Sequence, residues 1–411
     1  MKLQYLTIAS ILIVQAAGSF AQQPSSGGFQ MSADFSTLAQ ESNAFAVDLY
    51  GKLKSEPGNL FFSPASISGA FAMAYAGARG ATASEMASTL HFTLPPDRLH
   101  PSMGSLLATL NRARGSYELQ MANRLWAEKD EHFLSDYTDL MKRNYSAGLQ
   151  PVDFKANPEA ARLLINNWVA DQTRQKILNL VPAGAVTPLT RLILTNAIYF
   201  KAAWASKFTK AQTQSEDFHL SSTKTSKTDL MHQTRNGRYF RGPDFQALAL
   251  PYTQNELSMI VLLPDSPDGL PALEESLTAE NLDKWIGSLA FQETIIVTFP
   301  RFKVTQDFEL GSTLEALGMK QAFQRTADFS GITADKGLSI SAAIHKAYID
   351  VDEEGTEAAA ATGGMIFTSI MRLAPPSPPI VFRADHPFLF LIRDNSSGAI
   401  LFLGRLTDPS N

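Results

Sequence analysis

The chain has 411 residues, 45% of them hydrophobic and 18% charged, the make-up of a globular protein with a substantial core rather than of a disordered or fibrous one. A net charge of -5 with dispersed Lys and Arg excludes the basic footprint of a nucleic-acid binder. The absence of cysteine excludes a disulfide framework and a lipid anchor on cysteine, so packing alone must hold the fold.

Residues 1–21 read as a secretory signal: Lys2, the apolar run Leu6 to Val14, then Ser19-Phe20-Ala21 as a small-x-small cleavage site. The apolar run is too short to span a membrane, so no membrane partner is expected. Residues 22–35 are expected to form a flexible tail, and residues 36–411 a single domain, because no repeat, charge run or long Gly/Ser tract divides them.

Ser36 to Tyr50 carries Leu38, Phe45, Val47 and Leu49 and reads as a helix ended by the turn Ser55-Glu56-Pro57-Gly58. Asn59 to Phe62 is a short buried strand, and Ser63-Pro64 pairs a helix cap with proline at the first helical position. Ile67, Ala70, Phe71, Ala74, Tyr75 and Ala78 follow at helical spacing. Thr82-Ala83-Ser84-Glu85 has the form of a capping box. Tyr117 to Lys129 reads as a strand. Asn157-Pro158 opens a helix with Ala161, Leu164, Ile165, Trp168 and Val169 on one face. Arg191 to Tyr199 suits a strand covered on both sides. Ser258–Leu263, Thr294–Phe299, Phe388–Ile392 and Ile400–Leu403 are strand-like, the last two joined by the turn-rich Arg393 to Gly398. Helices and strands alternate without a βαβ rhythm, which predicts an α+β fold.

Between Ala358 and Met371 there is neither charge nor proline, and the first half is almost entirely Ala, Thr and Gly. Loops normally carry polar, turn-forming residues, so this stretch reads as a strand held out of its sheet. An alanine-rich linker is the bland alternative, but too few residues follow Pro379 for a second core.

Catalytic constellations are thin. The sequence has no HExxH, P-loop or G-x-S-x-G, and its seven histidines are scattered. Asp350-x-Asp352-x-Glu354-Gly355 imitates the start of a calcium loop, yet Ala361 stands where a bidentate Glu is required. His345 reads as a hydrogen-bonded core histidine. No catalytic residue, cofactor or metal is expected. Arg112 and Arg114, with Arg124 and Lys129, form a weak candidate for a polyanion site, against the plainer reading of a solvated face.

Several motifs in register carry a family resemblance. Glu354-Gly355-Thr356-Glu357-Ala358-Ala359-Ala360-Ala361-Thr362 and Phe382-Arg383-Ala384-Asp385-His386-Pro387-Phe388 resemble the hinge and post-loop signature of the serpins. Asn59–Ile67, Leu194–Lys201, the spacing of Trp204, Phe208, Thr213 and Phe218, and the ending Phe402–Pro409 resemble the same family, with Ala202 where many members have glycine.

The resemblance implies a serpin fold of three β-sheets, eight or nine helices and an exposed reactive-centre loop over about residues 353–380. It implies a secreted, extracellular or periplasmic, monomeric inhibitor that is not itself an enzyme. Its partner would be a target serine protease, or alternatively a cysteine protease, caught as a covalent acyl complex when the cleaved loop inserts into sheet A. A non-inhibitory carrier or folding helper is the alternative. Ser63, Ser66, Asn196 and His345 match a polar cluster beneath the sheet. Arg301 and Glu353 match an ion pair at its top, near Trp204. Glu353 to Thr362 match the hinge. The family's hinge length puts the reactive bond between Ser369 and Ile370, with cleavage after Ile370, Met371 or Arg372 as alternatives. A period of two turns Thr356, Ala358, Ala360 and Thr362 inward on insertion and Glu357, Ala359 and Ala361 outward. Thr356→Arg is accordingly expected to leave the protein folded while turning inhibitor into substrate.

Overall fold

The computed structural model describes residues 33–111, 117–145, 149–334, 337–356 and 378–410. Among them, nine α-helices surround two hydrogen-bonded sheets. The larger, nine-stranded sheet contains β1 (Leu60–Phe62), β5 (Gln214–Ser221), β6 (Lys224–Arg241), β7 (Phe245–Pro251), β8 (Leu257–Pro264), β9 (Ala290–Pro300), β13 (Ile380–Arg383), β14 (Phe388–Asp394) and β15 (Ile400–Leu406). The six-stranded central sheet runs β10 (Phe302–Glu309), β11 (Ile340–Val351), β12 (Gly355–Thr356), β4 (Leu192–Ala203), β2 (Tyr117–Glu128) and β3 (Gln150–Val152).

Two of the three expected sheets are joined through one long strand. β6 pairs with β5 and β9 along most of its length and with β7 at its end, bending at a register shift between Arg235 and Gly237. Phe61, Phe390 and Phe402 stack beneath the central sheet, where β1, β14 and β15 meet.

Helix α1 (Ala33–Leu53) begins earlier than the sequence pattern suggested. Phe35 is buried, so the folded domain takes in the last residues of the expected tail. Ser63 caps helix α2 (Pro64–Tyr75) by accepting the Ser66 N–H at 3.3 Å. This helix is buried on nearly all sides, as its apolar sequence requires.

The Thr82–Glu85 capping box does not form. Thr82 lies inside helix α3 (Gly80–Thr89), where its hydroxyl accepts from Asp328 N, while Glu85 accepts from Lys320 N and Gln321 N. Tertiary partners take both side chains. Helix α4 (Pro158–Gln172) covers one face of the central sheet with Ala161, Ile165 and Val169, but Leu164 points to solvent. Arg124 of β2 sits over the Trp168 ring at 4.1 Å and fastens this helix to the sheet.

Candidate functional site

The site is the seam between β4 and β11. These two strands run parallel and pair directly from Leu192–Ile340 up to Tyr199–Tyr348. Above that point they part. Into the gap comes β12, antiparallel to both: Gly355 pairs with Ala203, and Thr356 with Ala202 on one side and Val351 on the other. The first residues beyond the hinge turn are therefore already a short central strand.

The turn that delivers them is built from its own backbone. Asp352 N donates to Gly355 O at 2.9 Å, and the Asp352 carboxylate accepts the amides of Glu354 and Gly355 at 2.8 and 3.2 Å. Gly355 has φ +152°, and a Cβ there would lie 2.1 Å from Ala202 O, so only glycine allows the chain to slip beside β4. Trp204 braces the turn by donating its Nε1–H to Asp352 O at 3.0 Å and its backbone N–H to Glu354 O at 2.9 Å. Thr356 points inward, fully buried, and its hydroxyl meets the Tyr252 hydroxyl at 2.8 Å.

Glu353, also fully buried, accepts two hydrogen bonds from Arg301, at 2.9 and 2.6 Å, and one from the Thr213 hydroxyl. Burial opposes ionisation of this carboxyl, but the bonds from Arg301 and Thr213 outweigh it and hold its pKa below the usual value. Arg301 also reaches Asp229 at 3.3 Å, and Lys207 pairs with Glu354 at 2.6 Å.

Midway down, the seam is closed by a buried polar cluster. His345 and Asn196 are opposite each other across the β4–β11 pairing, and the Asn196 carbonyl oxygen accepts from His345 Nδ1. The other ring nitrogen, Nε2, accepts the Ser63 backbone N–H at 3.2 Å, which fixes the neutral Nδ1–H tautomer. Burial pushes the His345 pKa down to about 3. The Asn196 amide donates to the Ser66 hydroxyl at 2.7 Å and to Asn123 Oδ1 at 2.5 Å, and Asn123 donates back to Ser66 O at 3.3 Å. A network satisfied in this way favours one discrete arrangement.

The sequence-derived residues thus fall into two groups. Arg301, Glu353, Glu354, Gly355, Thr356 and Trp204 meet at the top of the seam, and Ser63, Ser66, Asn196 and His345 meet in its middle. Glu357, Ala358, Ala359, Ala360, Ala361, Thr362 and the bond candidates Ser369, Ile370, Met371 and Arg372 lie outside the described residues, as do Arg112 and Arg114. Arg124 and Lys129 are engaged elsewhere, over Trp168 and with Asp153 at 3.0 Å. The acids imitating a calcium loop are taken up by the turn and by ion pairs, Asp350 with Lys303 at 2.8 Å and Glu354 with Lys207. One expectation fails: because Thr356 is seated inside the intact fold, Thr356→Arg would disturb that fold itself.

Sequence reading missed Asn123, Asp229 and Tyr252, and named Thr213 only for its family spacing, without its bond to Glu353. Asn123 emerges only from the pairing of β2 with β4, which sets it opposite Asn196. Tyr252 gave no signal, standing in a turn between two strands.

The model of the family described as Serpin (serine protease inhibitor) matches residues 40–409. The human leukocyte elastase inhibitor is 42% identical over 383 residues, covering 90% of this chain and 99% of that protein. Among solved structures, uncleaved ovalbumin superposes with a TM-score of 0.82 at 31% identity, covering 90% of this chain and all of that one. Human thyroxine-binding globulin complexed with thyroxine gives a TM-score of 0.82 at 30% identity, covering 92% of this chain and 100% of the other. With the motif-bearing residues gathered along one seam and the match spanning the folded domain, the chain belongs to the serpin family.

Proposed function

We propose that this protein is a secreted serine protease inhibitor that acts as a suicide substrate, without catalytic activity of its own. The observation that carries the reading is β12: the hinge already enters the central sheet as an antiparallel strand between two parallel ones. A protease reading the loop as substrate would attack the scissile carbonyl with its serine, forming an acyl-enzyme and releasing the new amine end. The upstream part of the loop, freed from its C-terminal tether, would then extend β12 downward along the seam. Residues 356–369, fourteen in all, would span roughly 46 Å at ~3.3 Å per residue, against a radius of gyration of about 21 Å. The protease would be dragged most of the length of the molecule.

Insertion replaces one parallel ladder by two antiparallel ones, which pair slightly better per residue. At ~1 kcal/mol for each added hydrogen bond, plus apolar burial, the gain is on the order of 10 kcal/mol, enough to distort an active site and stall ester hydrolysis.

The leukocyte elastase inhibitor is by name an inhibitor of elastase. Ser369, Ile370 or Met371 before the cut would suit an elastase- or chymotrypsin-like pocket, and Arg372 a trypsin-like one. A cysteine protease is the alternative partner. Export rests on residues 1–21. Cleavage after Ala21 would leave the domain that begins at Ala33 intact, and N-terminal sequencing of protein from the culture medium or periplasm tests this.

Incubating the mature protein with serine and cysteine proteases should yield a complex that survives boiling in detergent, and mass spectrometry of the released peptide fixes the bond. Clean cleavage without a complex would instead favour the carrier reading, for which the likeness to thyroxine-binding globulin speaks.

A further inference from the structure

We propose that Tyr252 is the positioning residue that seats Thr356, the first inward-facing side chain of the loop, and thereby sets how often loop cleavage ends in a trapped protease. The inference rests on the inhibitory reading and names a residue outside the hinge itself.

Tyr252 comes from the other sheet, just beyond β7, and is buried. Its ring is held from several sides. It stacks on Trp204 at 4.6 Å and 10°, meets the edge of Phe200 at 5.3 Å, and its backbone N–H donates to Leu257 O at 3.0 Å. Trp204 is in turn fixed to the hinge turn through Asp352. The Tyr252 hydroxyl therefore cannot follow Thr356 if that residue leaves. Among the described residues its hydrogen bond is with Thr356 alone. A buried hydroxyl without a partner is unfavourable, so the seated state is favoured over one in which Gly355 and Thr356 are withdrawn. Burial also raises the tyrosine pKa, which keeps the group a neutral hydroxyl able to pair with another.

Trapping is a race between insertion and hydrolysis of the acyl-enzyme. A strand that starts with Gly355 paired to β4 and Thr356 paired on both sides extends an existing nucleus. One that starts with these residues withdrawn must first form it. Tyr252 thus acts on the outcome of cleavage without touching the protease.

The test compares Tyr252→Phe, Thr356→Val, the double variant and Thr356→Ser with the unaltered protein. Two quantities are read: inhibitor molecules consumed per protease trapped, and the rate of the tryptophan fluorescence change after the loop is nicked. Loss of one neutral hydrogen bond should raise consumption about fivefold and slow the fluorescence change about fivefold in each of the first two variants. The double variant should be no worse than either, and Thr356→Ser should behave as the unaltered protein. Unchanged values in both single variants, or effects that multiply in the double, overturn the seat. If the unaltered protein traps no protease yet the nicked variants still change more slowly, the inhibitory reading fails and the seat stands.

Discussion

The two halves of the seam solve different problems with the same pair of strands. At the top, β4 and β11 part and the gap is filled by Gly355 and Thr356, with charged groups around the turn above them. In the middle, the strands pair directly and are closed by His345 and Asn196. The contrast locates the barrier. On the proposed mechanism, insertion beyond the seated Gly355 and Thr356 would have to separate Tyr348 from Tyr199 and then break the hydrogen bond between His345 and Asn196.

The largest effect should come from jamming the strand below its seated start. Continuing the register of Thr356 with Ala202 and Val351 brings Ala360 between Ile198 and Ala347, both fully buried. Only a small side chain suits that position, and Ala360→Arg would bury an unpaired charge. The variant should lose the detergent-stable complex, with at least about tenfold more inhibitor cleaved per protease captured, a factor that needs only ~1.4 kcal/mol against insertion. Complex formation equal to that of the unaltered protein would exclude insertion in this register.

Next comes the closure itself. Asn196→Ala strips partners from His345, Ser66 and Asn123 together, all in or beside the core. The intact protein should lose roughly 2–4 kcal/mol of stability in denaturant unfolding, because several buried polar groups are left unsatisfied. A loss well under 1 kcal/mol would mean that the cluster does not hold the seam.

The two halves were also unequally legible. Arg191 to Tyr199 could be read as a covered strand from its apolar run, though the strand runs on to Ala203, and Ser63-Pro64 could be read as a helix start from its residue types. The polar groups of the seam were readable only through family resemblance, because hydrogen bonds between Ser63, Asn196 and His345 depend on strand pairing and not on spacing. The ion pair of Arg301 with the buried Glu353 has the same origin, and the Thr213 hydroxyl that completes it was invisible as a partner. Capping-box chemistry misled at Thr82 because a tertiary partner, Asp328, outcompeted the local bond. Asn123 stayed hidden in a strand called for its hydrophobic neighbours.

A pH series probes the middle of the seam more gently than mutation. Burial pulls the pKa of His345 down to about 3 and of His100 down to about 4, from an ordinary value of 6.5. Between the folded and unfolded values the unfolded chain binds protons that the fold excludes, so stability is complete above the unfolded value and declines as pH falls below it. Each group contributes a slope of up to ~1.4 kcal/mol per pH unit. In His345, protonation of Nε2 would set two donors, the new N–H and Ser63 N–H, against each other. Denaturant unfolding at about pH 7.5 and about pH 5.5 should show a clear loss, smaller in His345→Gln. An identical loss in that variant would assign the pH dependence elsewhere.

The smallest predicted effect joins the two halves. In the register that places Ala360 beside Ile198, Thr362 arrives between Asn196 and His345, the pair whose hydrogen bond insertion must break. A threonine hydroxyl can both donate and accept, so it could satisfy the groups that part around it. An aliphatic residue there would leave them unpaired in a dry interior. Thr362→Val should therefore narrow the gap in melting temperature between nicked and intact protein by about 1 °C, the shift expected from one hydrogen bond of ~1 kcal/mol in a chain of this size. An unchanged gap would mean that the inserted strand leaves the closing cluster as it was, or passes it in another register.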